Sequence, residues 1–110
     1  MIAELLLFAV QGTPPVAGEP PTGAPSGLST QSLGGKGTAG PVTYTARHSK
    51  NGQESADSNG VPTAYVPSDP RIRCRWTSAD LTAYTRIYQD GSLVGTAGPG
   101  IQVLDVRVRL

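Results

Sequence analysis

At 110 residues and a formal net charge of +1, the chain is one domain at most, with no overall charge to draw it to nucleic acid. Its single cysteine excludes an internal disulfide framework and any multi-cysteine metal site. The 14 glycines and 10 prolines are spread unevenly, and their distribution divides the chain into three parts.

Residues 1–12, MIAELLLFAVQG, open on an apolar run. A cleaved leader is a poor reading, because Glu4 is present, Lys and Arg are missing, and Leu5 to Val10 is short for a signal core. The same run falls far short of the roughly 20 residues that span a bilayer. We expect an uncleaved N-terminus and no membrane partner. An exposed Leu5-Leu6-Leu7-Phe8 is an aggregation hazard on a monomer, so these side chains need a buried site. That site is either the protein's own sandwich or a neighbouring subunit, and the second is favoured. Ile2, Leu5, Leu6, Leu7, Phe8 and Val10 are therefore assigned to partner binding.

Residues 13–41 form a Pro/Gly-rich stretch whose charged residues are Glu19 and Lys36. Its first half, TPPVAGEPPTGAP, favours extended polyproline II geometry and reads as an arm. Ser26 to Leu33 is a candidate first edge strand, followed by a flexible GGKGTAG loop. The folded unit is placed at residues 42–110, a size at which one core is marginally stable and oligomerisation often contributes. A homo-oligomer is left open.

From Val42 the pattern becomes that of strands. Val42, Tyr44 and Ala46 alternate toward one face, and His48 ends the run. Lys50 to Gly60 is polar, with Asn51-Gly52 and Asn59-Gly60 as turn signals. Val61 to Val66 is a short strand whose Pro62 suits an edge. Ile72, Cys74 and Trp76 alternate with Arg71, Arg73 and Arg75, which predicts an inward apolar face and an outward basic one. Thr82 to Gln89 is the next strand. It closes on Asp90-Gly91, a pair suited to the positive φ angles of a two-residue hairpin, and Ser92 to Thr96 returns. Tyr84 and Tyr88 share one face of that hairpin and are open to either a core or a surface role. Leu104, Val106, Val108 and Leu110 alternate with Asp105, Arg107 and Arg109, predicting a final strand over 101–110 with those four apolar residues inward.

The segment RIRCRWTSADLTAYTRIYQDGSLVGT, residues 71–96, resembles the B, C and C′ strands of a fibronectin type III or related immunoglobulin-like sandwich. The carrying features are a strand ending in an inward Trp76, then Tyr84-Thr85-Arg86-Ile87-Tyr88 and the Asp-Gly turn. The resemblance covers about a quarter of the chain and implies an all-β fold: a small sandwich of this kind preceded by an extended N-terminal arm. A complete domain of the family needs three more strands after the hairpin, whereas only Ile101 to Leu110 remains. Either residues 42–66 supply the missing strands in a different order, or a neighbouring chain completes the sandwich.

Signals for chemistry are weak. His48 is the only imidazole and has no nucleophile or carboxylate beside it at a recognised catalytic spacing, so a polar strand-end role is expected. Gly34-Gly35-Lys36-Gly37-Thr38 lacks the order of a phosphate-binding loop. Asp57-Ser58-Asn59-Gly60 lacks the Glu that closes a calcium loop. No catalytic residue, metal ligand or cofactor site is assigned, and the protein is expected not to be an enzyme. Arg107 and Arg109 project from the last strand and are assigned to an acidic partner surface, although alternating Arg is also the ordinary way to solvate an outer face.

A small sandwich with a marginal core and an apolar plug on a Pro/Gly tether is similar to the small structural proteins of tailed bacteriophage particles. That resemblance implies a virion protein with capsid or tail subunits as partners. It would serve as a decoration, tail or fibre-attachment module that reinforces the particle or presents an adhesive surface. The alternative is a bacterial surface or secreted carbohydrate-binding module of immunoglobulin-like fold.

Overall fold

The computed structural model describes residues 18–110, so Ile2, Leu5, Leu6, Leu7, Phe8 and Val10 lie outside the described residues. The strands are β1 (Ser26–Ser32), β2 (Ala39–Lys50), β3 (Gln53–Glu54), β4 (Val61–Tyr65), β5 (Arg71–Thr77), β6 (Tyr84–Gln89), β7 (Ser92–Ala97) and β8 (Val103–Arg107). All pair antiparallel. One sheet has the order β1-β5-β8; the other has β3-β2-β6-β7, with β4 also paired to β2. The result is an all-β sandwich compatible with the immunoglobulin and fibronectin III architecture.

The Trp-bearing β5 is central in one sheet, between β1 and β8, and the hairpin β6–β7 that follows it runs in the other sheet, with β6 beside β2. That arrangement is compatible with the expected B, C and C′ places for β5, β6 and β7, with β2 beside β6 and β4 beyond it as strands supplied in a different chain order. The strands that seemed to be missing come from residues 26–65. Ser26–Ser32, the candidate first edge strand within residues 13–41, pairs at the edge of the β1-β5-β8 sheet and so belongs to the sandwich.

The alternating residues build the core as their period requires. Ile72, Cys74 and Trp76 are buried from β5, Tyr44 and Ala46 from β2, Ile87 from β6, and Val106 and Val108 from β8 and the residues after it. Burial pushes the Cys74 thiol up to about 12, which leaves it unreactive at neutral pH. Gly95 of β7 marks a close approach: a Cβ there would lie 2.9 Å from both Leu104 and Val106, so β7 and β8 close the sandwich edge through its bare backbone. Two hairpins turn on paired positive-φ residues, Asn51-Gly52 at 54° and 76° and Asp90-Gly91 at 49° and 86°. These values suit the two-residue turns that match strand twist.

The final strand is shorter than expected. It stops at Arg107, although the Val108 amide still donates to the Pro70 carbonyl at 2.8 Å. Leu110, expected inward, is 84% exposed because the chain leaves the sheet before reaching it. Strand β6 reverses the usual rule: Thr85, Ile87 and Gln89 are buried while Tyr84, Arg86 and Tyr88 face outward.

Two side-chain amides act as substitute backbone where the sheets meet. Gln89 accepts from the Arg109 amide at 2.8 Å and donates to the Arg109 carbonyl at 2.7 Å, while its oxygen also takes the Tyr44 hydroxyl. Asn59 does the same to Leu28, at 2.9 and 3.0 Å. Each pins one end of the β1-β5-β8 sheet to the opposite layer.

The residues before β1 are bonded to one pole of the sandwich. Asp80, buried in the β5–β6 loop, accepts from the Thr82 amide and hydroxyl at 2.9 and 2.6 Å, from the Thr22 amide at 3.3 Å and from Lys50 Nζ at 3.4 Å. The Thr22 hydroxyl donates to the Ala79 carbonyl, Asn51 donates to the Glu19 carbonyl, and Gln53 to that of Gly18. The Thr82 hydroxyl and amide, then the Thr22 amide and Lys50, hold the Asp80 carboxyl well below the usual carboxylate range. A carboxyl lowered in the folded state stabilises it fully above the ordinary Asp pKa of about 3.9, and that contribution is lost progressively as pH falls from there toward the lowered folded-state value. The melting temperature is thus expected to drop as pH falls from about 5 to about 2, and Asp80→Asn should flatten the drop. Identical pH slopes for the two proteins would mean that Asp80 does not carry this linkage.

Candidate partner-binding face

The outer face of the β1-β5-β8 sheet gathers arginines. On β5 the period-2 pattern points Arg71, Arg73 and Arg75 away from the core, and on β8 it does the same for Val103, Asp105 and Arg107. The register sets Arg75 opposite Val103, Arg73 opposite Asp105, and Arg71 opposite Arg107. Arg109 follows just past β8, its backbone held at both polar atoms by Gln89.

These guanidinium groups are unequally paired. Arg73 grips Asp105 with two bonds of 2.8 and 3.0 Å, and Arg71 grips Asp69 with two of 2.6 and 2.7 Å. Both carboxyls are held below their usual range: Asp105 chiefly by its bonds from Arg73, and Asp69 chiefly by those from Arg71, with the Arg107 charge adding to the effect. Among the described residues Arg75, Arg107 and Arg109 make no ion pair. Arg71 and Arg107 are like charges directly across a strand pair, an arrangement that costs stability. A shallow depression of about 420 Å³ opens beside them, lined by Arg73, Arg75, Val103, Leu104 and Asp105.

Of the residues assigned from sequence, Arg107 and Arg109 are both exposed, on and just beyond β8, and the fold adds Arg71, Arg73 and Arg75 to the same face. Gln89 was not singled out in the sequence, since its partner lies 20 residues away and nothing local marks a buried amide. The face offers planar donor forks with unfilled valences, suited to carboxylates on a partner surface.

The other weighed signals have structural employment. Asp57 pairs with Arg47 at 2.6 Å, the Ser58 hydroxyl accepts from the Ala46 amide, and Asn59 holds Leu28. His48, expected at a polar strand end, is instead fully buried: its Nε2 accepts from the Ala79 amide at 3.0 Å, and its Nδ1 faces the Tyr84 carbonyl and Thr85 hydroxyl at 3.3 and 3.2 Å. Among the described residues no group of three His, Cys, Asp or Glu side chains is placed to hold a metal ion. Comparison of the chain with protein-family models, with curated proteins and with solved structures finds no match.

Proposed function

We propose that the chain is a non-enzymatic structural protein of a bacteriophage particle, a decoration, tail or fibre-attachment module. It docks on capsid or tail subunits through its apolar N-terminal residues and meets an acidic surface of those subunits with its arginine face. The observation that carries the reading is the fastening of residues 18–25 to the sandwich through Asp80, Ala79 and the β2–β3 turn. The sequence ahead of residue 18 is thereby joined to the sandwich at a defined pole and not through a loose linker reaching to residue 42. Ile2 to Val10 then serves as a plug for a hydrophobic groove or sheet edge on a neighbouring subunit.

Deleting residues 1–12 tests the docking. The shortened protein should keep its β-sheet circular dichroism and melting temperature yet fail to join particles assembled without the wild-type chain. Loss of the β spectrum on truncation would instead make the plug part of the protein's own fold and end the docking proposal.

The arginine face has a separate test. Arg107→Glu with Arg109→Glu leaves the Gln89 clamp on the Arg109 backbone in place, so the fold should survive. Binding to stripped particles should weaken by about tenfold or more at low salt, with the gap narrowing near 1 M, where the screening length is about 3 Å. Equal binding by both proteins at low and high salt would show that this face is only solvated.

A further inference from the structure

We propose that the outer face of the second sheet carries a separate binding site, centred on Tyr84, for a neutral saccharide. Tyr84 opens β6 and is 52% exposed, with Ser49 of β2 as its register partner. Around it lies an open depression of about 340 Å³, lined by Ser49, Lys50, Asn51, Gly52, Arg86 and Thr96. The packing of the sandwich does not call for an aromatic ring here, because the inward side of β6 is filled by Thr85, Ile87 and Gln89. A half-exposed phenol ring on a rigid strand gives a flat apolar surface with a polar rim. A pyranose presents the complementary shape, with a C–H face to lie on the ring and hydroxyls at its edge for the Ser49 and Thr96 hydroxyls and the Arg86 guanidinium.

Charge distinguishes a neutral sugar from an anionic one or from a nucleic acid. Every cation of this face is matched: Arg86 by Glu54, Arg47 by Glu54 and Asp57, and Lys50 by Asp80 and Glu19. Glu54 also receives the Tyr88 hydroxyl, and Arg47 lies over the Tyr88 ring at 5.0 Å, so the neighbouring groups are fixed before any ligand arrives. A nucleic acid would find a stacking ring here but no unpaired cations for its phosphates, which electrostatic binding requires. The unpaired arginines are on the opposite sheet. The saccharide site is therefore independent of the docking reading and stands or falls without it. If both hold, it supplies an adhesive surface on an attached module.

The test uses the full chain against immobilised neutral oligosaccharides (β-1,4-linked glucose, β-1,4-linked N-acetylglucosamine and α-linked mannose), with oligogalacturonate and oligodeoxythymidine as charged probes. At least one neutral series should bind, shifting the amide resonances of Ser49, Asn51, Tyr84, Arg86 and Thr96. Tyr84→Ala should weaken that binding by about tenfold or more with an unchanged melting temperature, whereas Tyr84→Phe, which keeps the ring, should stay within about threefold of wild type. Arg107→Glu with Arg109→Glu should bind the sugar as wild type does. The proposal is overturned if no neutral series binds, if only the charged probes bind, or if Tyr84→Ala binds like the wild type.

Discussion

Trp76→Ala is expected to unfold the domain at or near room temperature. Trp76 is 5% exposed and belongs to the cluster that joins Leu28, Ile72 and Cys74 of one sheet to Tyr44, Ala46 and Ile87 of the other. Replacing a buried Trp by Ala costs about 3–5 kcal/mol, because the removed atoms lose their burial and the cavity only partly collapses. A domain of some ninety residues holds about 5–14 kcal/mol in all, so the loss takes a large share of the total. Trp76→Phe should be far milder: it keeps most of the apolar volume and removes an indole N–H that has no hydrogen-bond partner among the described residues. Thermal melts followed by circular dichroism decide the matter, since Trp76 is the only Trp and its emission disappears with it. An Ala variant that melts with the wild type would place Trp76 outside the core.

The parts of the fold legible in the sequence are those where one strand face differs sharply in polarity from the other. Arg71 to Thr77 is such a case: three apolar residues alternate with three arginines, and all three apolar residues are buried. Asp90-Gly91 was legible because its positive φ angles are a local property of the residue types. Strand β1 gave little signal, since Leu28 is its one buried residue and the rest is Ser, Thr, Gln and Gly. Its place in the sheet comes from pairing with β5, more than forty residues along the chain. Periodicity misled at Leu110, where the alternation continues in sequence after the chain has left the sheet.

The candidate sites were legible to different degrees for the same reason. Arg107 could be assigned an outward direction from alternation alone, but its position opposite Arg71, which concentrates charge on one face, depends on strand register. Tyr84 and Tyr88 remained open between core and surface because β6 buries polar residues and exposes aromatic ones. That inversion follows from two long-range networks, Thr85 with His48 and Gln89 with Tyr44 and Arg109, which make the inward polar side chains tolerable.

His48→Ala should have the second large effect, and should act on stability, not on any turnover. The ring is fully buried and joins three separate pieces of chain: β2, the Ala79 amide in the β5–β6 loop, and the start of β6. Since Nε2 accepts from the Ala79 N–H, the neutral ring carries its proton on Nδ1 and donates toward the Tyr84 carbonyl. Removing the ring leaves the Ala79 amide without its acceptor and opens a cavity beneath the loop that also carries Asp80 and the bonds to Thr22. The part-buried Ala79 amide loses its acceptor at a cost of about 1 kcal/mol, and the cavity left by a fully buried ring adds the larger share, so a total of about 2–4 kcal/mol is expected. Thr85→Val removes only the hydroxyl that meets Nδ1 and should cost less. The two changes should be non-additive, because both act on one hydrogen-bonded network. Stability of the two single variants and the double variant, measured by denaturant unfolding, gives the coupling directly. If His48→Ala unfolds like the wild type, or if a reproducible turnover of the native protein vanishes with no change in stability, the imidazole is a reagent and not the fastening of this pole.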